Sequence, residues 1–150
     1  DEVLIPEPSF VAYKGCTTFT GAKANVLELK AENDFKLTAD ELEEAITENT
    51  KVVIIPIPNN PTGAIMTREE LAPIVEVLKK KDVIIISDEI YAELTYNKEH
   101  VSIASFPEIK DRTLVINGFS KAYAMTGWRL GYACGNKVLI DAMKKIHQYA

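Results

Sequence analysis

The chain has 150 residues, enough for one ordinary domain with a core of its own, and its 47% hydrophobic and 26% charged content is that of a globular protein. A net charge of −5 at pH 7 argues against general affinity for nucleic acid or an anionic membrane, while leaving room for a local cationic pocket that holds a small phosphate. No apolar run nears the roughly 20 residues of a membrane span, no signal peptide opens the chain, and the isolated Cys16, Cys134, His100 and His147 make neither a CxxC pattern nor a metal site, so a cytoplasmic protein without a metal is expected.

Apolar runs alternate with amphipathic ones along the chain, the pattern of an α/β fold with a mostly parallel sheet and helices on both faces. VLIP (3–6) and NVLEL (25–29) read as short strands. Thr38 and Glu41 form a capping box that opens a helix in TADELEEAITEN, with Leu42, Ala45 and Ile46 on one face. KVVIIPIP (51–58) and DVIIIS (82–87) are near-continuous Val/Ile runs, as expected of strands covered on both faces. Between them a second capping box, Thr67 with Glu70, opens TREELAPIVEVLKKK, whose stripe is Leu71, Ile74, Val75 and Leu78. Pro73 removes a hydrogen bond from that helix, which predicts a kink or a late start. TLVING (113–118) and RLGYACG (129–135) are two further strands. NKVLIDAMKKIHQYA closes the chain as a helix with Val138, Leu139, Ala142, Met143, Ile146 and Tyr149 on one side. Both ends look cut, so a portion of a larger protein is expected.

In an open parallel sheet, ligands bind just beyond the carboxyl ends of the strands. The residues following the apolar runs are therefore the informative ones. NNPTG follows the third strand, DEIY the fourth and FSK the fifth, and Arg129 opens the sixth. Four strand ends thus deliver an amide, a carboxylate with a phenol, a lysine and an arginine. Each has a plain structural explanation by itself: NNPTG as a turn in which Gly63 allows a positive φ, Asp88 as a cap, Lys121 as a solvated cation. Their joint occurrence in this order asks for another.

NNPTG, SDEIY and SKAYAMTGWRLGY, in that order, resemble the fold-type-I pyridoxal-phosphate enzymes, and among them the class I aminotransferases of the aspartate and aromatic kind. The resemblance spans nearly the whole chain and corresponds to most of a cofactor-binding large domain. A glycine-containing helix start upstream and a C-terminal small domain, which relatives possess, are not in these 150 residues.

The resemblance implies pyridoxal 5′-phosphate as cofactor, and the chemistry of that group explains the residue types. Its aldehyde needs a primary amine, which Lys121 supplies, and the freed amine can then shuttle a proton. Its pyridine nitrogen must stay protonated to draw electrons, and Asp88 matches the carboxylate that favours the charged form. Asn60 and Tyr91 match the amide and phenol donors to the ring's 3-oxygen. Arg129 matches the phosphate-binding arginine, a planar bidentate donor. PEPSFVAY (6–13) resembles the segment whose aromatic stacks on the pyridine face, which makes that residue Phe10, with a core phenylalanine as the alternative. Many relatives carry a hydroxyl three residues before the lysine. Here that position is Gly118, and Ser120 immediately precedes Lys121.

The activity implied is transfer of an amino group between an L-amino acid and a 2-oxo acid, by a homodimer when full length, with no nucleic-acid or membrane partner. Two alternatives keep the cofactor: a C–S lyase or other β-eliminating enzyme of the same fold, and a catalytically silent pyridoxal-phosphate-binding module. A nucleotide-binding domain of the GxGxxG kind is disfavoured, because no such motif follows a first strand.

Overall fold

A computed structural model describes residues 1–149. Six strands, β1 (Glu2–Glu7), β2 (Lys23–Glu28), β3 (Thr50–Pro56), β4 (Ile84–Asp88), β5 (Thr113–Gly118) and β6 (Gly131–Cys134), form one sheet in the order β2-β1-β3-β4-β5-β6. The first five run parallel and β6 pairs antiparallel with β5, Gly118 opposite Gly131. Since β1 lies between β2 and β3, the winding reverses there, and such a switch point opens a crevice at the carboxyl ends of the strands.

Alternation along the strands divides the apolar residues between two faces. Leu4, Val53, Ile55 and Ile85 join Leu42 of α2 (Ala39–Ala45) and Leu71, Ile74, Val75 and Leu78 of α3 (Arg68–Lys79) in one buried cluster. Val3, Val52, Ile54 and Ile86 turn to the opposite face, where with Tyr13 and Cys16 of α1 (Ala12–Phe19) they line an open depression of about 560 Å³. The mostly parallel sheet with helices on both faces is the architecture the sequence pattern predicts.

Both capping boxes form. The side-chain oxygens of Thr38 and Thr67 accept from the backbone N–H of Glu41 and Glu70, and each glutamate accepts in return from the threonine N–H. The third helix begins at Arg68, directly after its cap, so Pro73 does not delay it. Pro73 sits inside the helix on the exposed side, where water can solvate the Glu69 carbonyl that lacks its usual donor. At the other end of α3, the Arg112 guanidinium donates to the carbonyls of Leu78, Lys81 and Val83. These are orphan acceptors of a helix terminus and the strand start beyond it.

Two elements depart from the sequence reading. The first helix is unforeseen: AYKGCTTF contains Gly15 and buries only Thr17, so no apolar stripe marks it. The sixth strand is shorter than RLGYACG, because Arg129 adopts a left-handed conformation (φ 53°) and the ladder starts only at Gly131. The final helix, α4 (Lys137–His147), is capped by Asn136, whose side chain accepts from the Val138 N–H at 2.9 Å. It buries none of its residues, although the sequence gives it a clear apolar side.

Candidate functional site

At the carboxyl ends of β1, β3, β4 and β5 lies a cleft of about 540 Å³. Phe10, Asn60, Asp88, Tyr91, Lys121 and Arg129, the six residues singled out from the sequence, all line it.

Each owes its place to a local device. Asn60 rides on the NNPTG turn after β3. That turn is closed by backbone bonds from Asn59 N–H to Ala64 O (3.0 Å) and from Gly63 N–H to Asn59 O (2.8 Å). Gly63 has φ +71°, the left-handed region that the sequence reading assigns to this glycine. Asp88 is the last residue of β4. Its Oδ1 accepts from the Ile90 N–H at 3.2 Å, which starts the turn that carries Tyr91. Lys121 stands in a tight turn after β5, with its Nζ 5.8 Å from the centre of the Tyr91 ring. Arg129 does not open the last strand, as the sequence suggested, but ends a short turn at Thr126–Trp128 two residues earlier. One of its guanidinium nitrogens donates to Thr126 O at 3.0 Å, and the rest of the fork faces the cleft and solvent.

Three contacts were not legible in the sequence. The Tyr13 hydroxyl donates to Asp88 Oδ2 at 2.6 Å, across 75 positions of chain. Burial, and then the Asp88 carboxylate beside it, push the Tyr13 phenol far above its ordinary range, so it remains a donor. Phe10 stands edge-on to the same tyrosine, ring centres 5.8 Å apart, because it lies just ahead of α1 in the turn closed by the bond from Tyr13 N–H to Phe10 O (3.2 Å). The two residues are three apart across the turn into the helix, a signal that recognition of the helix start would have revealed. Asn59, finally, is buried, and its Nδ2 donates to Pro8 O (2.9 Å) and Thr62 Oγ1 (3.0 Å), tying the loop before Phe10 to the loop bearing Asn60.

The glycine at 118 has a steric cause. A Cβ there would sit 2.9 Å from Leu130 O and 3.1 Å from the Gly131 Cα, so the hydroxyl that the resemblance leads one to expect at this position has no room unless β6 moves. Ser120 lines the cleft instead.

Residues 1–149 match the family described as aminotransferase class I and II, and the chain belongs to that family. It is 47% identical over 152 residues to an aspartate aminotransferase of Geobacillus stearothermophilus, covering all of this chain and 39% of that protein. The structure superposes on the aspartate aminotransferase of Rhizobium meliloti with a TM-score of 0.97 at 40% identity, covering 100% of this chain and 38% of that one. With the aromatic aminotransferase of Pyrococcus horikoshii the TM-score is 0.95 at 41% identity, covering 99% and 40%. The chain thus spans about two-fifths of the length of the relatives it matches.

Aminotransferases of this class use pyridoxal phosphate, and the donor set of the cleft suits it. The lining brings together a carboxylate, two cations, an amide and a phenol. The volume lies within the roughly 300–1,000 Å³ of small-molecule sites. Among the described residues, no helix is long and apolar enough to cross a membrane.

Proposed function

We propose that this chain is the cofactor-binding portion of a pyridoxal-phosphate-dependent aminotransferase that moves an amino group between an L-amino acid and a 2-oxo acid. The observation that carries the reading is the convergence of an amine, a carboxylate, an amide, a phenol, a guanidinium and an aromatic face on one cleft from four strand ends.

Bound there, the cofactor supplies an aldehyde that takes up the amino group and a pyridine ring that draws electrons from it. Every other task falls to side chains. Lys121 Nζ would hold the aldehyde end before substrate arrives, then carry the proton from the substrate's α-carbon to the carbon on the far side of the transferred nitrogen. Asp88 accepts from the protonated ring nitrogen, and the Tyr13 hydroxyl fixes the direction of that carboxylate. The Asn60 amide and the Tyr91 hydroxyl donate to the ring's 3-oxygen, which keeps negative charge there. Phe10 offers its flat face to the ring, and Arg129 pairs with the phosphate.

The reading extends to a homodimer acting in the cytoplasm. The homodimer is supported by the large apolar side chains that this chain leaves exposed near the cleft and beyond it, among them Trp128, Leu130, Tyr132 and Ile146.

The test is borohydride reduction of the full chain in the presence of pyridoxal phosphate, followed by peptide mapping. Label confined to Lys121, and lost in Lys121→Ala, is expected. Label spread over surface lysines such as Lys79–Lys81 overturns the reading. An assay of transferred amine against released ammonia then separates transamination from β-elimination.

A further inference from the structure

Directly behind Asp88 lies a buried polar cluster that the chemistry above leaves unused. Glu89 is 4% exposed and takes no part in lining the cleft. Ser87 Oγ and Ser102 Oγ donate to its Oε1 at 2.9 and 2.7 Å, and His100 Nε2 lies 2.9 Å from its Oε2. Ser87 is wholly buried, and Ser102 also caps the short turn Ile103–Ser105 by accepting from the Ala104 N–H. The Glu89 backbone is engaged as well: its N–H donates to Ile116 O of β5 and its carbonyl accepts from the Ala92 N–H, both at 2.9 Å.

One residue thus joins the strand end that bears Asp88, the neighbouring strand, the turn that bears Tyr91 and the loop at 100–102. Space-filling does not explain it. An apolar side chain would fill the same volume without the desolvation a buried carboxylate suffers. Burial does push the Glu89 carboxyl up, but the hydrogen bonds from His100, Ser102 and Ser87 outweigh it and hold the group below its ordinary value. A fully satisfied buried network fixes one geometry where an apolar contact tolerates several.

We propose that Glu89 is a positioning residue: its bonds to Ser87, Ser102 and His100 hold the end of β4 so that Asp88 meets the ring nitrogen of bound pyridoxal phosphate. The inference rests on the cofactor reading above. It separates Glu89 from general support of the pocket, because only contacts to the ring nitrogen should suffer when it is altered.

The test compares two ligands on the full chain by equilibrium dialysis: pyridoxal phosphate, and its 1-deaza analogue, in which C–H replaces the ring nitrogen and gives Asp88 no cation to meet. Glu89→Gln is expected to weaken pyridoxal phosphate about tenfold, the size of one charge-assisted hydrogen bond, and the analogue less than about twofold. Ser102→Ala, which leaves the charge in place, is expected to show the same selectivity at about threefold, and it decides the matter if thermal melting shows Glu89→Gln unfolded. Equal losses for the two ligands, or no loss for either, overturn the positioning role alone. Failure of the unaltered chain to bind pyridoxal phosphate overturns the cofactor reading and this inference with it.

Discussion

The two walls of the cleft stand on unlike ground. Asn60 and Asp88 extend from β3 and β4, strands in the middle of the sheet whose neighbours Val53, Ile55 and Ile85 are buried against α2 and α3. Lys121 and Arg129 belong to the segment from Phe119 to Leu130, in which no residue is buried. Two of its residues, Ala124 and Arg129, hold positive φ angles of 52° and 53° without being glycine. The carboxylate is therefore placed by a core strand and the amide by a turn anchored through the buried Asn59, whereas both cations are placed by turns with no buried residue. A rigid wall can meet a ring with its geometry already set. A wall of turns must be ordered by what it binds or by what packs on it, and that ordering costs part of the binding free energy.

The contrast is sharpest in stability. Ile74→Ala, which opens a cavity under the rigid wall, is expected to cost about 2–5 kcal/mol in urea unfolding, whereas Ile146→Ala on the exposed stripe of α4 should stay within about 0.5 kcal/mol. Comparable costs would show that α4 is packed in solution and would erase the distinction. Gly118→Ser probes the seam between the walls. The added Cβ meets Leu130 O and the Gly131 Cα, so a loss of about 1–3 kcal/mol is expected. With it should come a lower yield of borohydride label at Lys121, since β6 and the turn before it must shift. A gain of label would mean that the new hydroxyl reaches the phosphate after all. The smallest effect is expected from acid. Glu89 has a depressed folded-state pKa, so its contribution is present above the ordinary carboxyl value, about 4.3, and is lost as pH falls through the folded value. The urea midpoint of the unaltered chain should fall along this limb, and Glu89→Gln should flatten the fall.

Legibility followed the same division. The central strands could be read from KVVIIPIP and DVIIIS, and α2 and α3 from their capping boxes, because burial on two faces and a helix start both impose strong local patterns. Asn60, Asp88 and Tyr91 could be read because they follow those strands at once, while Phe10, Lys121 and Arg129 were assigned through the resemblance of the segments that carry them. Tyr13 could not, since its partner lies 75 positions away and its helix has no apolar stripe. Glu89 was hidden by its neighbour: in SDEIY the aspartate and tyrosine account for the motif, and nothing local shows that the glutamate turns inward to meet His100 and Ser102. The apolar side of α4 was correctly seen as a pattern, yet a pattern states only what a surface could bury, and here none of its residues is buried and Val138, Ile146 and Tyr149 stay exposed.

The position of β6 has a practical consequence. It ends the sheet with four residues, Gly131–Cys134, none charged and none proline, and its outer side pairs with no strand among the described residues. Natural edges are usually guarded by a lysine, a proline or a bulge. This one is not, so concentrated solutions of the chain will tend to associate edge to edge through backbone amides. A single lysine at Ala133 is the simplest guard for anyone who needs it to stay dispersed.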